Sequence, residues 1–176
     1  MRVRKPRIAD IIAIHKLVNE FAKRGDMIPR SLNDLYEKIR DIFICEDEEA
    51  LLGVCALHII WEDLAEIRSL AVKSESQKTG IGRRLVTTCI KEAEKLGITR
   101  IFALTYHPEF FKKIGFQDID KSKLPHKIWG DCLKCPKFPD CDESAVILDL
   151  KSKRGKESRK AAPTPSDVPV ATTPPR

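Results

Sequence analysis

No run of apolar residues in this chain is long enough to span a bilayer, so a membrane-crossing helix is not expected. The basic opening Met1-Arg-Val-Arg-Lys-Pro-Arg7 lacks the apolar stretch of a signal peptide behind it. Without an export signal, the cysteines at 45, 55, 89, 132, 135 and 141 are expected to be reduced and the protein cytoplasmic. A second Cys-x-x-Cys is missing, so a complete four-thiolate zinc site is not spelled out. Missing too are the Gly-Lys-Ser/Thr of a Walker loop and the third glycine of a dinucleotide fingerprint. Net positive charge is small outside the C-terminus: of the net +6, most lies in residues 151–176, where seven Lys/Arg face Glu157 and Asp167. The rest of the chain is nearly neutral, which argues against a basic groove for nucleic acid.

What is present suffices for one domain with a real core over residues 1–150. Residues 151–176, rich in proline and poor in apolar side chains, read as a disordered, solvated tail. A first strand is expected from Arg2 to Ile8. A helix capped by Asp10 follows, with Ile11, Ile14, Leu17, Val18 and Phe21 on one face and Gly25 at its end. Ser31 is placed to cap a second helix, with Leu32, Leu35, Ile39 and Tyr36 turned inward. Residues 43–46 and 51–60 read as a hairpin with Asp47-Glu-Glu49 at its tip. Then come a strand at 65–72, a helix at 80–96, a strand at 100–106, a short helix at 109–114 and a last strand at 145–148. This order implies an α/β sheet with helices on both faces. The polar stretch 117–143 is too long for an ordinary connection, which points to function or a metal clamp.

One segment carries more chemistry than the others. Glu66-Ile-Arg-Ser-Leu-Ala-Val72 leads, through a short polar loop, into Gln77-Lys-Thr-Gly-Ile-Gly-Arg83. Ile81, Leu85, Val86, Cys89, Ile90 and Ala93 then recur at helical spacing. Gly80 and Gly82 allow a tight turn and a close backbone approach. The helix's first amides, backed by its dipole, suit a pyrophosphate, with Lys78, Arg83 and Arg84 nearby. The same residues also fit a strand-to-helix turn that binds nothing.

The Gln-x-x-Gly-x-Gly pattern after a strand resembles the acetyl-CoA signature of the GNAT superfamily of N-acetyltransferases. Phe110-Phe-Lys-Lys-Ile-Gly-Phe116 resembles that family's Phe-Tyr-x-Lys-x-Gly-Phe element beside CoA. Within the superfamily, residues 1–150 are most similar to the acetyltransferase domain of the N-acetylglutamate synthases. Met27-Ile-Pro-Arg-Ser31, Gly53-Val-Cys-Ala-Leu57, Arg100-Ile-Phe-Ala-Leu-Thr105 and Leu124-Pro125 carry that likeness. The resemblance implies a mixed central sheet with a splayed strand pair, acetyl-CoA as cosubstrate and L-glutamate as acceptor. A homodimer is a further implication. The longer enzymes of this kind carry an N-terminal amino-acid-kinase-like domain that binds arginine. This chain opens on the acetyltransferase part, so that form of control is not expected.

Roles follow by resemblance. Leu70, Ala71 and Val72 would meet the thioester and pantetheine through main-chain groups. Gln77, Lys78, Thr79, Gly80, Ile81, Gly82 and Arg83 would hold the pyrophosphate, with Phe110 and Phe111 alongside CoA. The family's frequent tyrosine acid is Phe111 here, so that role does not carry over. Glu66 matches the proposed base. Thr105 matches a hydroxyl proposed as acid, and Tyr106 is its more acidic neighbour; alternation allows only one of them. Arg30 and Ser31 match the substrate-binding Arg-Ser pair, and His58 stands where lysine is frequent. Arg68, two residues from Glu66 on one strand, is a further candidate for a carboxylate. Cys132-x-x-Cys135-x5-Cys141, with His126, His107 or Asp140 as a fourth group, fits a structural zinc site, and three packed thiols fit it as well. Two alternatives stay open. One is an acetyltransferase for another small amine or a protein N-terminus; the other is a non-catalytic acyl-CoA sensor.

Overall fold

The computed structural model describes residues 1–124 and 142–151, so nearly all of the expected cysteine-bearing insert at 126–142 and the basic tail beyond Lys151 lie outside the described residues. The seven described strands form one sheet in the order β1-β2-β3-β4-β5-β7-β6. These are β1 (Arg2–Arg4), β2 (Ile42–Asp47), β3 (Ala50–Trp61), β4 (Leu64–Val72), β5 (Arg100–Thr105), β6 (Gln117–Asp118) and β7 (Ser144–Asp149). All neighbours are antiparallel except β4 and β5, which run parallel. Helices α1 (Ile11–Lys23) and α2 (Leu32–Glu37) cover one face; α3 (Ile81–Lys95) and α4 (Pro108–Lys112) cover the other.

The expected order of elements holds, with the two-residue β6 added inside the segment read as polar connection. The six periodic residues of α3 are all buried, packed on the sheet with Phe43, Leu57 and Phe116. Gly53 lets this helix close on β3, since a Cβ there would lie 3.0 Å from Ala71 O and 3.1 Å from Ile81 Cγ2. On the other face Ile11, Ile14, Leu17 and Val18 of α1 pack with Leu35, Ile42, Ile44 and Val54.

Several local expectations need correction. β1 ends at Arg4, because Ile8–Asp10 forms a 3-10 turn before α1. Asp10 therefore does not cap α1; its carboxylate accepts from Arg7 N–H at 2.6 Å and pairs with Arg4 at 2.7 Å. In α2 only Leu35 is buried, while Leu32 and Tyr36 are 38% and 40% exposed, since six residues present a single buried position to α1. The β2–β3 tip turns on Glu48 and Glu49, both at positive φ (45° and 65°), the turn conformation usually supplied by Asn-Gly.

Strand β4 is irregular along both of its edges. Between the pairs Val54↔Ala71 and Ala56↔Arg68, β4 uses one residue more than β3, a bulge with Ser69 at φ 49°. On its other side, pairing with β5 stops at Glu66↔Phe102 although β4 continues to Val72. The two parallel strands thus part, and the splay implied by the family resemblance lies at Glu66.

Candidate active site

A cleft of about 910 Å³ opens where β4 and β5 diverge. One end is built by the β4–α3 connection. Lys78 (φ 62°) and Gly80 (φ 90°) reverse the chain, and α3 begins without a side-chain cap. The first helical hydrogen bond runs from Arg84 N–H to Gly80 C=O at 3.0 Å, so the amides of Ile81, Gly82 and Arg83 precede the helical ladder, and Gly82 and Arg83 line the cleft. Gln77 ties the loop back to β4 by donating from Nε2 to Val72 C=O at 3.2 Å. Phe110 lies across the helix start, where a Cβ at Gly82 would come 3.3 Å from its ring. Lys78 and Arg83 line the cleft and are in no ion pair among the described residues.

Of the residues expected at this end, Leu70, Val72, Gln77, Lys78, Gly80, Gly82, Arg83, Phe110 and Phe111 line the cleft. Three others do not present side chains there. Ala71 and Ile81 are buried in the two opposite cores, and the Thr79 hydroxyl donates to Ser76 C=O at 2.6 Å. Phe111 is itself a core residue at 4% exposure, stacked edge-on against Phe110 and Phe116, and forms the cleft's inner wall.

The other end gathers Arg30, Glu66 and Arg68. Glu66 is buried, at the last residue where β4 and β5 still pair. Its Oε2 meets Arg68 Nε at 2.5 Å, as same-face neighbours on a strand can. Arg30 arrives from the α1–α2 connection, with its guanidinium 3.5 Å from Asp34. Ser31 stays out: its Oγ accepts from Asp34 N–H at 3.1 Å and caps α2. His58 also stays out of the main cleft. It is the cross-strand partner of Glu66, but it faces a small side cavity where Nδ1 lies 2.8 Å from Asp41 Oδ2.

Thr105 and Tyr106 both reach the cleft from the end of β5, on opposite faces as alternation requires. Thr105 follows Ile101 and Ala103 toward the α3–α4 side, where its Oγ1 accepts from His107 N–H at 2.9 Å. Tyr106 continues the row of Phe102 and Leu104, the face Glu66 shares through its register with Phe102. Residues not foreseen from the sequence also line the cleft, among them Phe21, Ile28, His107 and Lys113. Phe21 belongs to the periodic face of α1, while Ile28, His107 and Lys113 lie in connections, whose placement has no periodic signature. Cys132, Cys135 and Cys141, with His126 and Asp140, lie outside the described residues. Among the described residues no cluster of three or more metal-ligating side chains occurs, and a zinc site has no support. No described helix is long and apolar enough to cross a membrane.

An α/β sheet parted between two parallel strands, with a glycine-turned helix start at the gap, defines an N-acetyltransferase fold. The chain belongs to the acetyltransferase (GNAT) family, whose model matches residues 11–116. It is 40% identical over 148 residues to an uncharacterized N-acetyltransferase of Chlorobaculum tepidum, covering 84% of this chain and 96% of that protein. It is 32% identical over 132 residues to an amino-acid acetyltransferase of Mycobacterium tuberculosis, covering 73% and 75% of the two chains. Among solved structures it resembles N-acetylglutamate synthase from Neisseria gonorrhoeae, complexed with coenzyme A and N-acetyl-glutamate, with TM-score 0.78 and 29% identity. That match covers 85% of this chain and 35% of the Neisseria one.

Proposed function

We propose that the protein transfers the acetyl group of acetyl-CoA to the α-amino group of L-glutamate, the reaction that opens arginine biosynthesis. The observation that carries this reading is one continuous cleft with two chemically different ends. One end has outward amides and the cations Lys78 and Arg83; the other has Glu66, Arg68 and Arg30. The coenzyme A and N-acetyl-glutamate held by the Neisseria relative match these two ends in chemistry.

In this reading the pyrophosphate lies on the start of α3 and pantetheine follows the parted edge of β4. Glu66 takes a proton from the glutamate ammonium, directly or through water, while Arg68 holds its carboxylate in place. The amine attacks the thioester carbon. Main-chain N–H groups near Leu70–Val72 stabilise the oxyanion, a contribution worth about 10²–10³ in rate for one well-placed donor. The C–S bond then breaks, the thiolate taking a proton from Thr105 or leaving unassisted, and the new amide nitrogen gives up its extra proton to Thr105 or to water. Arg30 binds a substrate carboxylate.

A second reading, acetylation of a different small amine, draws on the ion pairs of the acceptor end. Arg30 and Arg68 each already face a carboxylate, Asp34 and Glu66. The experiment is release of CoA thiol from acetyl-CoA across a panel of amino acids and small amines, with and without arginine. Glutamate is expected to give the highest kcat/KM, and Arg30→Ala to raise its KM while leaving acetyl-CoA binding intact. Turnover with another amine but not glutamate would favour the second reading. Acetyl-CoA binding with no turnover on any acceptor would leave only a sensor.

A further inference from the structure

Asparagine suits helix interiors poorly, because its short amide competes for main-chain partners. Asn19 nevertheless sits well inside α1. Its carboxamide is fully engaged. Oδ1 accepts from Arg30 N–H at 3.1 Å, while Nδ2 donates to Arg30 C=O at 2.8 Å and to His15 C=O at 2.9 Å. The side chain thus pairs with both main-chain groups of residue 30, much as a neighbouring strand would. The two flanking helix ends have their own devices: Gly25 at φ 82° follows α1, and Ser31 caps α2. The clamp instead fixes the backbone of the one residue in this connection whose guanidinium reaches the acceptor end of the cleft. By comparison, Asp34 approaches that guanidinium at 3.5 Å, the outer limit of a hydrogen bond.

We infer that Asn19 is a positioning residue of the acceptor site: its carboxamide, locked onto the Arg30 main chain, sets where Arg30 meets the acceptor carboxylate. This rests on the reading of Arg30 as an acceptor ligand. Asn19 touches neither substrate. It acts by holding α1 and the Arg30 backbone at one separation, and small displacements of a binding group are costly to reaction geometry.

The test is steady-state kinetics of the full chain with L-glutamate and acetyl-CoA for Asn19→Leu, Arg30→Ala and the double variant. Leucine keeps the branched shape, raises helix propensity and removes both contacts to Arg30 along with the one to His15. The expected result is a rise of about tenfold in glutamate KM for Asn19→Leu, the scale of losing two neutral hydrogen bonds. Its kcat and acetyl-CoA KM stay within about twofold of the parent, a split that general damage to the fold would not give. In the Arg30→Ala background Asn19→Leu adds nothing further, because the two act on one contact. Asn19→Ala, which favours the helix still more, gives the same pattern should leucine be too large. If Arg30→Ala raises glutamate KM and both Asn19 variants leave it unchanged, the positioning role is overturned and the acceptor reading survives. If Arg30→Ala itself leaves glutamate KM unchanged, the acceptor reading falls and this inference with it.

Discussion

Replacing Gly80 by alanine isolates what a single backbone angle contributes to coenzyme binding. Gly80 sits at φ 90° immediately before α3, and a Cβ built there meets nothing within 4 Å. The cost of alanine is therefore conformational and not steric: about 1–2 kcal/mol for a left-handed residue bearing a Cβ. Should the loop relax to avoid it, the amides of Ile81 to Arg83 lose their aim and the binding-competent fraction falls. At 1.4 kcal/mol per decade, the affinity for acetyl-CoA drops by about 5–30-fold. Gly97 supplies the control, at φ 81° with nothing within 4 Å, at the opposite end of the same helix. Calorimetric titration with acetyl-CoA and thermal unfolding are measured on both variants. Gly80→Ala is expected to weaken binding, Gly97→Ala to cost only stability, and Gly80→Asn to recover most of the loss because asparagine tolerates this region. Equal coenzyme affinity in all three would refute the idea that this loop's geometry grips the diphosphate.

Glu66→Gln is expected to lower kcat by about 10²–10³ with acetyl-CoA affinity unchanged by calorimetry, and an unaltered kcat would remove Glu66 as the base. Because Thr105 and Tyr106 project to opposite faces, only one of Thr105→Val and Tyr106→Phe should depress kcat, and equal losses in both would contradict a single acid. Arg4 and Arg2 hold Glu46 at about 2, down from its ordinary 4.5, through hydrogen bonds to its carboxylate. The pair's stabilisation is complete above the unfolded value and is lost as pH falls from 4.5 toward 2, where the unfolded chain takes up the proton first. Unfolding temperatures measured down that range should fall less steeply for Glu46→Gln than for the parent; parallel curves would mean the pairing contributes nothing.

Much of the donor end was readable from residue order. The α3 face follows from helical period alone, and its six apolar positions are the six that are buried. Glycine at 80 announces a backbone angle that other residues adopt at a cost, and the angle is there. Side-chain destinations in the same segment were less legible. Thr79 and Ile81 sit inside the motif, yet one serves the loop's own carbonyl and the other the core. A motif specifies main-chain shape and leaves open where each side chain goes.

The acceptor end depended on contacts between distant parts of the chain. Ser31 and Arg30 are adjacent; the cap that Ser31 makes on α2 is local and was legible in the sequence, but that Arg30 enters the cleft was not. His58 is opposite Glu66 in register, but Asp41, seventeen residues away, draws its ring into a side cavity. Local order dictates period, turn angle and the start of α3, because these depend on residues a few positions apart. Where β4 leaves β5, which cations meet which carboxylates, and which loop carries Arg30 to Glu66 depend on packing across the whole sheet. Only the assembled fold brings those groups within reach of one another.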